Sequence, residues 1–371
     1  MMQHTLKSLL VERLIDAYHF LLTFPWRNRR DLREGYTVVL PVIPEFYAVT
    51  DYNLRFLSAC NLPNCKEVIV ITDCYRNHDE NKEVIARYAK DLPIRLVVQP
   101  AYRRLLMQVQ KRSFVVHTMN FVTAIKLTRT KHVFLHDGDF FLTDHDHIER
   151  LYAEAVRDGL DMLSTYSRPH PGKEYADEEV VFPATFELML RRNFMTSSPA
   201  YKIFAGEWRG KWYGNFVRFF LCVRNERCRM LDTPGGDPRY IDDDADRIGP
   251  NDPIPVGLHF KHLFERYWKF KIQGRKFDDG KYTMFLLFMM TRANPECRHQ
   301  YFPDMQNYLE SVRPAYRSSY FEPFERYFQQ FVNHDALTQQ ERTIMLEGFE
   351  QLKSAIAHNE ANVASTVGQS S

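Results

Sequence analysis

Val133-Phe134-Leu135-His136-Asp137-Gly138-Asp139-Phe140-Phe141 is the stretch whose reading decides the fold. An apolar run ends in two carboxylates one residue apart. Such a run reads as a buried strand, and a buried strand holds its C-terminal end rigidly. In open α/β sheets, ligands bind in the crevice at those ends. Two carboxylates there can share one hard divalent cation, and the cation can clamp the phosphates of a nucleotide. Gly138 lets the backbone turn so that Asp137 and Asp139 converge instead of facing opposite sides. Asp and Gly are also common turn residues, so the surroundings of the motif have to carry the rest.

Working outward, strands and helices alternate. Strands are expected at 36–43, 67–72, 94–99, 131–135 and 161–165. Helices are expected at 50–60, 81–90, 113–127 and 147–158. This order predicts an α/β fold: a mostly parallel, Rossmann-like sheet flanked by helices. After Ser167 the rhythm breaks. A Pro/Gly-rich loop leads to Phe182–Arg192, which reads as a helix, and Asp232–Pro255 reads as a long functional loop. A late strand is expected at 255–260, then a helical C-terminal part, then a disordered tail. The organisation expected is residues 1–35 as an N-terminal amphipathic helix, 36–166 as a nucleotide-binding half and 167–270 as an acceptor-binding and catalytic half. Residues 271–358 follow as a helical region and 359–371 as the tail.

Composition narrows the function classes. The chain has 371 residues, enough for about two domains, with 44% apolar and 26% charged residues and a formal net charge of only +2. That balance argues against a dedicated nucleic-acid binder. The six cysteines form no CxxC pair, which argues against a structural zinc site, and their number requires no disulfides. A reducing cytoplasm is the simpler location. No segment approaches the roughly 20 apolar residues of a membrane span. Leu6–Phe24, followed by Trp26-Arg27-Asn28-Arg29-Arg30, reads either as a helix packed on the domain or as a peripheral membrane contact, with arginines on anionic headgroups.

Residues 36–165 resemble the nucleotide-sugar-binding half of a GT-A-type glycosyltransferase, with strand, Asp-ended strand, helix and DxD strand in that order. Ser113-Phe114-Val115-Val116-His117-Thr118-Met119-Asn120 and the DGD strand are similar to the LARGE-like and β-1,4-glucuronyltransferase group. Phe182-Pro183-Ala184-Thr185-Phe186-Glu187 resembles that group's P-A-F-E segment, and His259-Phe260-Lys261-His262 its late histidine segment. The resemblance implies transfer of a sugar from a UDP-sugar to a glycan or glycoconjugate acceptor; inversion is the course expected, and a retaining enzyme would need no catalytic base. It implies Mn2+ or Mg2+ bridging the DxD motif and the diphosphate. Asp139 is then the direct metal ligand and Asp137 its partner at the ribose or the metal. His259 completes the shell, with His262 as second choice. Pro41 and Val42 line the base pocket with backbone, Asp73 accepts from the uracil ring, and Asn120 faces the nucleotide.

Inverting transfer needs a carboxylate to take the acceptor hydroxyl proton. Glu187, Glu207 and Asp242-Asp243-Asp244 offer one; Asp243 and Glu187 are the candidates carried forward. Three rival readings stand beside this one; the first is a catalytically dead binding module, against which the intact DGD and the late histidine argue. Asp144-His145-Asp146-His147 close to the DGD would suit a dinuclear metallohydrolase, although an Asp there also suits a helix N-cap. A sugar nucleotidyltransferase would share the α/β architecture, yet Pro41-Val42-Ile43-Pro44-Glu45-Phe46 lacks the Gly and basic residue expected after its first strand.

Overall fold

A computed structural model describes residues 6–24, 31–43, 46–72, 78–100, 113–167, 182–208, 211–231, 257–259, 286, 288–290, 292–294 and 321–368. The chain forms two compact units. One is Met1–Thr50, Asn61–Gly138 and Asp146–Thr233; the other is Asp51–Cys60, Asp139–His145 and Pro234–Ser371.

The first unit is built on a seven-stranded sheet. Its strands are β1 (Arg33–Pro41), β2 (Cys65–Thr72), β3 (Ile94–Val98), β4 (Thr130–His136), β6 (Met162–Ser167), β7 (Phe182–Arg191) and β10 (Cys228–Leu231). The spatial order is β10-β6-β7-β4-β1-β2-β3. β1 runs parallel to both β2 and β4, and β2 parallel to β3. β7 alone is antiparallel to its neighbours β4 and β6, while β10 is parallel to β6. The mostly parallel sheet expected from the alternation of elements is therefore present.

Side-chain alternation along the strands gives the sheet two buried faces. On one face Val39, Ile69, Ile71, Val133 and Leu135 pack with Val115, Met119, Val122 and Ile125 of a helix over Ser113–Leu127. That helix is α4, after α1 (Leu6–Thr23), α2 (Tyr47–Ala59) and α3 (His78–Tyr88). On the other face Tyr36 meets Tyr152 of α5 (His147–Arg157), ring centroids 5.2 Å apart. Helices thus cover both sides, which is why β1, β2 and β4 are near-continuous apolar runs.

Phe182–Arg191 is a strand, not the helix expected. Leu188, Met189 and Leu190 favour helices in isolation, but β7 hydrogen-bonds on both edges and its buried side chains fill the sheet. Pairing on both sides overrides local preference. Pro183, which cannot donate to a ladder, lies beside the register shift near Tyr166.

His132 of β4 sits in this interior at 4% exposure. Its ring meets Tyr152 edge-on at 5.3 Å, and neither nitrogen has a hydrogen-bond partner among the described residues. Burial, helped by nearby Arg191 and Lys131 and opposed by Glu34, pushes its pKa down to about 4. The unfolded chain takes up a proton near pH 6.5 while the folded one does not. The contribution to stability is therefore complete above that pH and is lost as pH falls from about 6.5 to about 4. At pH 5 the loss is about 2 kcal/mol. His132→Phe is expected to abolish it, read as a smaller gap between urea-unfolding free energies at pH 7 and pH 5 than in the wild type.

α1 lies on the first unit by one face. Leu22 joins the core, His19 stacks on Phe204 at 4.2 Å, and Arg218 donates to Asp16 at 2.8 and 2.9 Å. The opposite face exposes Leu14 and Leu21, at 62% and 70%, with Phe20 and, just past the helix, Phe24. Among the described residues no helix is long and apolar enough to cross a membrane. Cys60, Cys65, Cys222 and Cys228 are free thiols, and burial pushes that of Cys65 up to about 11.

Among the described residues, the second unit contains β5 (Phe140–Leu142) paired antiparallel with β11 (Gly257–His259), the C-terminal part of α2, and the helices α8 (Phe321–Val332) and α9 (Gln339–Gly368). These follow α6 (Arg192–Ser197), the hairpin β8 (Gly206–Trp208) and β9 (Lys211–Tyr213), and α7 (Val217–Val223), all in the first unit. The second unit's core is aromatic. Phe56 stacks on Phe331 at 4.9 Å, Phe141 meets Phe331 edge-on at 5.5 Å, and Phe328 packs on Phe349 at 5.0 Å. Much of the aromatic content of the described residues is thus core. α9 extends to Gly368, through most of the expected disordered tail. Ala355, Ala357, Ala361 and Ala364 keep its helical propensity high.

Candidate active site

The chain lays down β1, β2 and β3 outward in one direction, then returns to place β4 on the other edge of β1. That reversal is a topological switch point, where the C-terminal strand ends open a crevice for ligands. Val39 of β1 pairs with Leu135 of β4, so Pro41 and Asp137, each two residues further on, stand at the adjoining ends. Pro41 is buried. Asp137 is not bare: His117 of α4 places Nε2 3.2 Å from its Oδ1, and the His117 side chain is 41% exposed. Phe121 meets the edge of the His117 ring at 4.7 Å and orients it.

His117 is a residue sequence reasoning missed. The available signal was its i,i+3 spacing to Asn120, which puts both on one face of α4. Asn120 itself is 3% exposed. Its Oδ1 accepts from Gln99 Nε2 at 3.0 Å, Gln99 Nε2 also reaches Met119 O at 3.1 Å, and Thr123 Oγ1 donates to Gln99 Oε1 at 3.1 Å. The backbone N–H of Gln99 donates to Thr72 O at 2.9 Å. This buried network ties α4 to the ends of β2 and β3 and occupies the Asn120 amide oxygen.

Glu187 lies on β7, paired in register with His136 of β4, one residue before Asp137. It is fully buried, and its Oε2 lies 2.9 Å from Nε2 of His147, itself 5% exposed. The two buried side chains form one hydrogen-bonded pair between β7 and α5. The run from Asp144 to His147 is therefore taken apart by the fold. Asp146 occupies the N-cap position of α5 without a side-chain capping bond, and its Oδ1 accepts from Asn61 at 3.2 Å. His147 turns inward to Glu187. The third carboxylate considered, Glu207, lies on β8 and lines a cleft of about 300 Å³ with Arg13, Asp16, Trp208, Trp212 and Arg218.

In the second unit, Asp139 precedes β5 and is 7% exposed. The antiparallel register sets His259 opposite Phe140, the residue after Asp139. The expected late strand therefore exists, and its histidine lies across the ladder from the motif's C-terminal flank. Asn53 Nδ2 donates to Phe140 O at 2.9 Å and fixes the start of β5. Gly257, paired with Leu142, is needed for close approach. A Cβ there would stand 2.7 Å from both the Phe140 ring and the Phe141 carbonyl oxygen. The carbonyl is backbone and cannot yield cheaply, so Gly257→Ala is expected to loosen the β5–β11 ladder. The measurement is thermal unfolding: Tm should fall while far-UV circular dichroism at about 25 °C stays near wild type.

Asp73, Asp243 and His262 lie outside the described residues. No family model matches the chain, and no curated protein matches it. Solved structures similar to it include Staphylococcus aureus TarS 1–349, at 12% identity over 87% of this chain and 91% of that one, TM-score 0.36. The mannosyltransferase PcManGT of Pyrobaculum calidifontis, in complex with GDP-Man and Mn2+, matches at 12% identity over 94% and 95%, TM-score 0.38. Glucosyl-3-phosphoglycerate synthase of Mycobacterium tuberculosis, in complex with Mn2+, UDP and glucosyl-3-phosphoglycerate, matches at 16% identity, TM-score 0.31. That match covers 46% of this chain and 62% of the synthase, under two thirds of its length. None of these three is named as a LARGE-like or β-1,4-glucuronyltransferase, so the subgroup resemblance gains no support from them. All the TM-scores are below 0.5, and the roles of individual residues rest on the geometry above.

Proposed function

We propose that the chain is a GT-A-type glycosyltransferase, moving a sugar from a UDP-sugar to a glycan or glycoconjugate acceptor with inversion. The observation that carries this reading is the carboxylate at the end of β4, at the switch point beside β1, in a motif whose next residues pair with a histidine-ended strand. Two carboxylates and an imidazole suit Mn2+ or Mg2+, so Asp137, Asp139 and His259 would hold the cation. Bound there, it would neutralise the charge that develops on the leaving UDP. His117 positions Asp137 through its 3.2 Å contact.

Backbone at Pro41 and Val42 would line the base, and Asp73 would accept from the uracil. Asp243 or Glu187 would take the acceptor hydroxyl proton as the acceptor oxygen bonds to the anomeric carbon and the bond to UDP breaks. The exposed apolar face of α1, followed in sequence by Trp26, Arg27, Arg29 and Arg30, supports peripheral contact with an anionic membrane surface. The test is a thermal-shift panel of nucleotide-sugars with and without Mn2+, followed by assay of UDP release with glycan acceptors. Consumption of a nucleoside triphosphate with a sugar phosphate would replace the proposal with a nucleotidyltransferase.

A further inference from the structure

The Asp144–His147 run leaves one histidine, His145, that the proposed transfer does not use. Within the second unit it meets the turn between α8 and α9. Its Nε2 lies 3.5 Å from Asp335 Oδ1, and His334 Nδ1 lies 3.3 Å from the same oxygen. The three ligand atoms all lie within 4.8 Å of one another. Metal–ligand bonds of 2.0–2.2 Å at tetrahedral angles set ligand atoms about 3.3–3.5 Å apart. Two of the three edges already have that length, and rotation of the His145 ring, 41% exposed, closes the third.

We propose that His145, His334 and Asp335 form a second metal site, specific for Zn2+ and separate from the DGD cation. Two imidazoles and one carboxylate favour a borderline cation, whereas Mn2+ and Mg2+ favour oxygen-rich shells. Three protein ligands leave the fourth position of the tetrahedron to water.

The His334 side of the site is already ordered, and Zn2+ would displace one hydrogen bond there. His334 is 6% exposed and stacks on Phe56 at 4.2 Å with the planes 15° apart, which fixes its ring. The Ala336 amide donates to His334 Nδ1 at 3.1 Å, marking that nitrogen as the one carrying the lone pair. Zn2+ takes over this lone pair when bound. The His145 side is fixed as well: Gln330 Nε2 donates to Thr143 Oγ1 at 2.6 Å, and Phe141 packs on Phe331. Zn2+ would pin the α8–α9 turn to residues 139–145, the segment that begins with Asp139. The site stands whether or not the transferase reading does.

The experiment is isothermal titration with Zn2+ and with Mn2+ on the full chain carrying Asp137→Asn and Asp139→Asn, which removes the DGD carboxylates. One Zn2+ per chain is expected, with Mn2+ much weaker. His145→Ala and Asp335→Asn, both at exposed side chains and each checked by circular dichroism, should each weaken Zn2+ binding by more than about tenfold. They should also abolish the rise in Tm that Zn2+ gives the parent. Unchanged zinc affinity in both folded variants, or no zinc bound by the folded parent, overturns the site.

Discussion

UDP is expected to stabilise the wild-type protein only when Mn2+ or Mg2+ is present, and Asp139→Ala to abolish that stabilisation. A ligand that binds only the native state, at about a hundredfold above its Kd, adds roughly 2.7 kcal/mol to the unfolding free energy. For a chain of this size that is a Tm rise of a few degrees. Excess EDTA should remove the whole of it. Asp137→Ala should act more mildly, weakening UDP binding by about 10–100-fold, if Asp137 reaches the metal or ribose as the supported partner of Asp139. His117 makes this ranking informative. Its Nε2 stands 3.2 Å from Asp137, so His117→Ala should follow Asp137→Ala in direction and be weaker still. UDP affinity that is equal with and without chelator would remove the metal from the site, and with it the reading of the DGD.

The parallel part of the sheet was legible because its strands are buried on both faces. β1, β2 and β4 are apolar runs ending at turn residues, and α4 was bounded as expected at Ser113–Leu127. β7 was not legible, since a ten-residue stretch with Phe, Leu and Met among Thr, Glu and Arg fits either a strand or a helix, and only its two neighbours decide. The candidate site divides along the same line. Asp137 and Asp139 are local, one residue apart, and could be read from spacing. His117 with Asp137, and His147 with Glu187 forty residues away, are pairings that exist only after the strands are ordered. A histidine's partner is a property of topology, so sequence could offer His147 as one of a cluster but not say that it turns inward.

The largest effect on stability is expected at that inward pair. Glu187→Ala should cost about 3–5 kcal/mol, because His147 remains 5% exposed with its carboxylate partner gone. His147→Ala should cost a similar amount from the other side. Replacing both by apolar residues, His147→Phe with Glu187→Met, removes the desolvation penalty together with the attraction. The double variant should therefore recover most of the loss, a coupling visible as non-additivity in urea unfolding. Sugar transfer separates structure from chemistry. Glu187 pairs in register with His136, one residue before the DGD. If its carboxylate serves the reacting sugar or acceptor, kcat of the folded double variant falls steeply while the Mn2+ dependence of its UDP binding is unchanged. Full turnover in a stable double variant would leave Glu187 a buried anchor for α5 and give the proton-accepting role to the Asp243 segment.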